Sequence, residues 1–206
     1  MFSESQLARA LIAAESASID AHIVLNKADL PGIVAARDRL APYAAMGVEV
    51  IEVALEAQPE KTRSTLDPWL AGGAMLVLGP SGAGKSTLIN LLVPDAKAQV
   101  GDISLALNSG RHTTTSTQWY WFDDEDRKAA LIDSPGFQEF GLRQIDAQQL
   151  PALMPDLREP AKDCRFYNCS HLHEPGCGVR AALDDGRIDA SRYRTYTEIL
   201  AELVRR

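Results

Sequence analysis

A glycine-rich segment in the middle of the chain constrains the fold more than any other feature. It reads Gly79-Pro80-Ser81-Gly82-Ala83-Gly84-Lys85-Ser86-Thr87. Glycines in this pattern, G-x-x-x-x-G-K-S, let backbone N–H groups converge on phosphate oxygens, while Lys85 reaches the outer phosphates and the Ser86 hydroxyl can bind Mg²⁺. A strand predicted over residues 74–78 precedes the segment and a helix predicted over 86–92 follows it. This context favours a nucleotide phosphate site over a chance glycine-rich turn.

A second motif, Asn26-Lys27-Ala28-Asp29, follows a strand predicted over residues 22–25. The Asp29 carboxylate offers two acceptors, which match the adjacent N1–H and N2–H₂ donors on one edge of guanine. The aliphatic stem of Lys27 can cover the face of the base. Taken alone, the segment is as compatible with a helix-capping turn, but beside a phosphate loop it predicts binding of GTP or GDP.

A third motif, Asp133-Ser134-Pro135-Gly136, ends a strand predicted over residues 128–133. The Asp133 carboxylate can hold Mg²⁺ through water, and the N–H of Gly136 can meet the γ-phosphate. Thr113, Thr114 and Thr115 offer a second hydroxyl ligand, and we assign Mg²⁺ to Ser86 and Thr114, with the choice among the three threonines left open. Without the other motifs, D-S-P-G would indicate only a turn.

The order of predicted elements indicates the fold class. Helices are predicted over residues 3–18, 31–46 and 86–92 and strands over 22–25, 48–53 and 74–78, and such alternation is typical of an α/β fold with a parallel, buried sheet. Residues 58–67 are expected to be an exposed connection with a helical portion at 66–70, residues 94–115 a long mobile loop, and residues 115–122 and 128–133 a hairpin.

The pattern changes beyond residue 146, where short helical pieces broken by prolines lead to a last helix over residues 191–204. We therefore predict an α/β P-loop nucleotide domain at residues 1–145 and a small, mainly helical domain at 146–206. No apolar run is long enough to span a membrane, and no secretory signal is evident, so we expect a cytoplasmic protein. The net charge of −7 argues against binding nucleic acid by charge alone.

Three cysteines and a histidine cluster in this second region, at Cys164, Cys169, His171 and Cys177. Three cysteines cannot all pair as disulfides, and three thiolates with an imidazole suit a closed tetrahedral structural zinc site. Buried free cysteines are the alternative interpretation, and His173 is a competing ligand.

In GTPases of the common type the phosphate loop comes first, followed by the threonine segment, D-x-x-G and N-K-x-D. Here the Asn26 motif precedes the phosphate loop, so the order is circularly permuted. Together with Gly110-Arg111-His112-Thr113-Thr114-Thr115, Asp133-Ser134-Pro135-Gly136-Phe137 and the cysteine cluster, this order resembles the ribosome small subunit-dependent GTPase A family, RsgA or YjeQ. The resemblance implies a GTPase with a zinc-bearing C-terminal domain, acting in late maturation of the small ribosomal subunit and contacting its rRNA. It also places the imidazole ligand of zinc at His171.

Residue His112 is the candidate for catalysis. A polar residue after D-x-x-G orients the attacking water in many GTPases, but Phe137 has no donor or acceptor here. His112 is the nearest group that could orient water or accept a proton, although it could merely hydrogen-bond within its loop. The resemblance points to the same histidine and implies slow intrinsic hydrolysis that the small subunit stimulates.

The chain departs from the family pattern in three places. No OB-fold precedes Met1, and the apolar strand that opens the family's GTPase domain is missing. In the family, a second guanine-contacting loop follows the strand predicted here over residues 48–53, and Val53-Ala54 replaces the family's Ser-Ala there. We expect from the first two that the chain is a fragment with part of its core exposed. Two other functions stay open: a guanylate-type nucleotide kinase, and a non-catalytic zinc RNA-binding module. A monomer is expected.

Overall fold

The computed structural model describes residues 3–70, 73–98, 117–122, 128–133 and 142–205. Within these ranges the elements are α1 Glu4–Ser16, β1 Ile23–Leu25, α2 Ile33–Ala45, β2 Val50–Glu52, α3 Pro59–Leu70, β3 Gly73–Val77, α4 Lys85–Leu92, β4 Gln118–Trp121, β5 Ala129–Asp133, α5 Pro155–Ala161, α6 Gly178–Asp184 and α7 Ala190–Val204. Single 3₁₀ turns occupy Pro94–Ala96 and Leu150–Leu153. None of the helices in these ranges has the length and apolar character that a bilayer crossing requires.

The described strands form two sheets. One pairs β1 with β2, and the other has the order β3-β5-β4. Strands β3 and β5 run parallel, whereas β4 is antiparallel to β5, with Leu131 opposite both Met75 and Tyr120. Parallel strands joined through helices confirm the predicted α/β class, and the antiparallel pair confirms the predicted hairpin partners.

Two compact units interleave along the chain. The strand unit comprises Val24–Ala36 and Val50–Gln138, and the helical unit comprises Met1–Ile23, Arg37–Glu49 and Glu139–Arg206. All three predicted nucleotide motifs belong to the strand unit, and the cysteine cluster belongs to the helical unit. The domain boundary at residues 145 and 146 stays a prediction.

The core of the strand unit lies between its strands and helices α3 and α4. Its buried members include Ile51, Val53, Leu66, Ile89 and Leu131. Strand β3 is less buried than we expected, because only Met75 and Val77 pack against this core, while Leu76 on the other face is 51% exposed. Because successive side chains of a strand point to opposite faces, a strand that packs only one face against the core leaves every second side chain exposed.

Helix α3 is longer than the sequence predicted. Residues 58–67 were expected to be an exposed connection, but the helix begins at Pro59 and continues to Leu70. Proline suits the first helical position, and Thr62 and Leu66, four residues apart, form the buried stripe. A stripe of two residues, one of them polar, leaves too weak a periodic signal for sequence analysis.

The helical unit has a separate core. Helix α1 contributes Ala8 and Ile12, which pack with Met154, Leu157 and Ile199. Side-chain caps begin the first and the last of its helices: the Ser3 hydroxyl accepts the Gln6 N–H, and the Asp189 carboxylate accepts the Ser191 N–H. The predicted first and last helices are confirmed, and their ends differ from the predicted ones by at most two residues.

Candidate functional site

The phosphate loop connects β3 to α4. Gly82 and Gly84 adopt φ angles of +75° and +105°, which glycine tolerates at little cost. The Lys85 ammonium donates to the carbonyl oxygens of Gly79 at 2.9 Å and Pro80 at 3.1 Å. Burial lowers the pKa of Lys85, and the Asp133 carboxylate opposes this shift. The Lys85 ammonium is thus held near the N-terminus of helix α4, where the backbone N–H groups of a first helical turn favour binding of an anion.

Asn26 joins the guanine motif to the phosphate loop. Its Nδ2 donates to the Ala83 carbonyl oxygen at 3.0 Å, and its Oδ1 accepts the N–H groups of Leu55 at 3.1 Å and Lys27 at 2.7 Å. One amide therefore fixes three backbone segments of the strand unit relative to one another. The sequence motif predicts that Asn26 belongs to the nucleotide site but does not indicate this link.

The guanine motif forms a turn after β1. Lys27 has a φ angle of +66°, its carbonyl oxygen accepts the Leu30 N–H, and the Ala28 N–H donates to the Val53 carbonyl oxygen at 3.0 Å. The side chains of Lys27 and Asp29 are exposed beyond this turn, where they are accessible to a base. Val53 and Ala54, which stand where the family pattern has Ser-Ala, are both buried.

Asp133 ends β5 beside the strand that leads into the phosphate loop. It lies opposite Val77 in the parallel register and is 2% exposed, and its charge acts on Lys85. Its place at the carboxyl end of a parallel strand is where α/β folds bind ligands. The other predicted residues of this region, His112, Thr113, Thr114, Thr115 and Gly136, lie outside the described residues.

The four predicted metal ligands come together in the helical unit. The ligand atoms of Cys164, Cys169, His171 and Cys177 all lie within 4.8 Å of one another. The Cys164 and Cys177 sulfurs lie 3.9 Å apart and 3.4 and 3.5 Å from His171 Nδ1. Tetrahedral zinc bonds of ordinary length separate two ligand atoms by about 3.6–3.8 Å. The cluster therefore has the dimensions of a tetrahedral metal site, whereas His173 is exposed.

The protonation chemistry of this cluster also suits a cation. Desolvation lowers the pKa of His171, which favours the neutral imidazole that binds metals. Desolvation, with the crowding of the other two thiols, raises the pKa of the Cys169 thiol to about 12, so forming the thiolate of Cys169 requires a compensating positive charge. Backbone N–H groups of Gly178 and Arg180 donate to the sulfurs of Cys164 and Cys177.

Three residues beside the cluster were missed by sequence analysis. They are Glu174, which accepts hydrogen bonds within the loop that carries His171, and Tyr193 and Tyr196 on α7, which donate to the same loop. Desolvation opposes ionisation of Glu174, but hydrogen bonds led by those from Ser170 outweigh it and hold the pKa of Glu174 well below its usual range. The i, i+3 spacing of the tyrosines is a helix-face signal that could have indicated a shared contact.

The chain is similar to proteins of a known GTPase family. A family model described as RsgA GTPase matches residues 1–143. A protein of Variovorax paradoxus named small ribosomal subunit biogenesis GTPase RsgA is 60% identical, over 98% of this chain and 65% of the relative. A protein of the same name from Burkholderia pseudomallei is 52% identical, over 98% of this chain and 63% of the relative. The chain thus spans slightly less than two thirds of the length of these curated relatives.

Two solved structures share the fold. YjeQ from Thermotoga maritima matches with a TM-score of 0.78 at 26% identity, over 99% of this chain and 67% of that one. YloQ, described as a circularly permuted GTPase, matches with a TM-score of 0.74 at 25% identity, over 98% of this chain and 63% of that one. The predicted permuted GTPase fold is therefore confirmed.

Proposed function

Because the chain belongs to the RsgA GTPase family, we propose that it binds GTP and hydrolyses the β–γ phosphoanhydride during maturation of the small ribosomal subunit. Its relatives carry this role in their names. The proposed partner is the subunit with its rRNA. Because of this role in ribosome maturation, we expect the protein in the cytoplasm. We expect the protein to act as a monomer.

The observation that carries the nucleotide part of the proposal is the Asn26 amide. It ties the segment that would read guanine to the loop that would hold phosphate, through the 3.0 Å bond to the Ala83 carbonyl oxygen. When the segment that reads the base and the loop that binds phosphate are held in a fixed arrangement, the site is suited to bind both ends of one nucleotide at once. A kinase needs the phosphate loop but has no use for this link, which favours the GTPase.

Each nucleotide group has an assigned partner. The backbone N–H groups of residues 79–87, except Pro80, which has none, and the Lys85 ammonium would bind the phosphates, and Asp29 would read the base. Ser86 and Thr114 would bind Mg²⁺, and Asp133 would hold the ion through water. The bound ion would draw charge from the phosphate oxygens. We assign orientation of the attacking water to His112 and contact with the γ-phosphate to the Gly136 N–H.

For the cysteine cluster we propose one structural zinc ion, bound by Cys164, Cys169, His171 and Cys177. Four protein ligands leave no open position for substrate, so the ion would stabilise the fold without taking part in hydrolysis. A small core benefits from such a link, because the free energy of metal binding adds to that of folding.

Phosphate release tests the proposal. We expect slow release from GTP by the protein alone and a rise of tenfold or more with purified small subunits. Lys85→Ala should abolish both rates, and Lys61→Ala, an exposed lysine on α3, should change neither. Transfer of phosphate to GMP would instead identify a kinase. Zinc and RNA binding without any turnover would identify a non-catalytic module.

A further inference from the structure

One carboxylate closes the loop that carries the imidazole ligand. Glu174 Oε1 accepts the Ser170 N–H at 2.9 Å and the Ser170 hydroxyl at 2.6 Å, and Oε2 accepts the N–H groups of Leu172 and His173, both at 3.2 Å. Four donors therefore converge on Glu174 from the three residues around His171. We call residues 170–174 the histidine loop.

The backbone at the centre of this loop is in an unfavourable conformation. His171 has a φ angle of +61°, in the left-handed region that residues with a Cβ rarely occupy. Such a conformation persists only where the surrounding contacts impose it. The loop therefore depends on its hydrogen bonds to keep His171 in place.

Helix α7 supplies two more of those bonds from outside the loop. The Tyr193 hydroxyl donates to the His171 carbonyl oxygen at 2.7 Å, and the Tyr196 hydroxyl donates to the Ser170 carbonyl oxygen at 2.8 Å. The helix thus holds the loop's carbonyl groups, while Glu174 holds its N–H groups. Of these side chains only Glu174 can bring the N–H groups together, because a hydroxyl cannot accept four hydrogen bonds.

Glu174 is not itself one of the clustered ligands. The group with ligand atoms within 4.8 Å comprises Cys164, Cys169, His171 and Cys177, and both carboxylate oxygens of Glu174 already accept two hydrogen bonds each. Any effect of Glu174 on a metal ion must therefore act through the loop backbone and the imidazole that it carries.

We propose that Glu174 is the positioning residue of the metal site, holding the histidine loop in the conformation that presents His171 Nδ1 to the three thiolates. The inference rests on the proposed zinc site and adds to it a residue that is not a ligand. A loop that is already in its bound conformation loses less conformational freedom when the ion binds, so metal affinity rises. Outer residues that orient metal ligands commonly change affinity by about 10–100-fold.

The test compares zinc affinity in the whole chain by competition with a chromophoric chelator. Glu174→Gln keeps the shape but turns an amide N–H₂ toward backbone N–H groups, and we expect zinc to bind about tenfold or more weakly. The matched control is Glu198→Gln, an exposed residue of α7 with the same change of charge, which should bind zinc as the unchanged protein does. The Co²⁺-loaded variant should keep the absorption of three thiolates but show altered d–d bands.

A milder variant covers the case in which Glu174→Gln does not fold. Ser170→Ala removes only the 2.6 Å hydroxyl bond to Glu174, and we expect it to weaken zinc binding about threefold with GDP affinity unchanged. Full zinc affinity and unaltered cobalt bands in both variants would overturn the role of Glu174 and leave the zinc site standing. Absence of metal binding by the unchanged protein would overturn both proposals.

Discussion

The Arg192 guanidinium lies against the Asp156 carboxylate, with Nε 3.0 Å from Oδ2 and Nη2 3.3 Å from Oδ1. The two side chains are only 4% and 9% exposed. The guanidinium also lies over the ring of Tyr43, 4.8 Å from its centroid. A buried charge pair thus joins α7, α5 and α2 within the helical unit, and each charge relies on the other for compensation.

Breaking this pair should destabilise the helical unit. Asp156→Asn leaves the buried guanidinium without its counter-charge, and we expect a loss of about 3 kcal/mol in the free energy of unfolding, measured in urea by circular dichroism. Glu159→Gln is the matched control, because its partner Lys162 is 65% exposed and exposed pairs contribute only ~0–1 kcal/mol. A loss below about 1 kcal/mol in Asp156→Asn would show that the pair is dispensable.

Gly84 is predicted to be irreplaceable because of its approach to Asn26. A Cβ at residue 84 would lie 2.5 Å from Asn26 Nδ2, and its φ angle is +105°. Gly84→Ala should therefore displace the link to the Ala83 carbonyl oxygen and weaken GDP binding tenfold or more in a fluorescence titration, about 1.4 kcal/mol. Gly32→Ala, where a Cβ meets nothing within 4 Å, should bind GDP as the unchanged protein does. Equal affinities in the two variants would contradict the role of this close approach.

The motifs of the proposed nucleotide site could be found in the sequence because each of them is local. Strand, glycine loop and helix follow one another at residues 73–92, so spacing alone predicts their arrangement. The Asn26–Ala83 bond joins residues 57 positions apart, and nothing in local spacing indicates it. The same limit applies to Arg192 and Asp156, 36 positions apart, since a charged residue in a helix ordinarily faces solvent.

The clustered cysteines and histidine were predictable from the sequence, and the residues that support them were not. Cysteine and histidine are rare, so the spacing of Cys164, Cys169, His171 and Cys177 stands out in the sequence. Glu174 is one of 28 acidic residues, and only the folded loop distinguishes it, through four converging donors. The length of helix α3 was underestimated for a related reason, because its buried stripe is short.

Base identity is predicted to follow Asp29. Asp29→Asn replaces one acceptor with a donor that faces the donors of guanine, and we expect a loss of about 1–3 kcal/mol in GDP binding by calorimetry. Xanthine carries a carbonyl oxygen in place of the 2-amino group, so affinity for XDP should rise in the same variant. Asp38→Asn, at an exposed residue of α2, is the control for charge. Unchanged GDP affinity in Asp29→Asn would exclude Asp29 as the residue that reads guanine.

The last prediction concerns His112 and the route to hydrolysis. Phe137 follows Asp133-Ser134-Pro135-Gly136 and offers no polar group to orient water, so another residue must supply one, and an imidazole beside the three threonines has the required chemistry. His112→Ala should lower the subunit-stimulated kcat by ~10²-fold or more while GTP affinity stays nearly constant, because the histidine acts on the water and not on the nucleotide. Stopped-flow phosphate release and nucleotide titration measure the two quantities separately. His22→Ala, a histidine paired with Glu49 in the helical unit, is the control and should keep full turnover. If His112→Ala turns over at the unchanged rate, or loses GTP affinity in proportion to its rate, a different residue orients the attacking water.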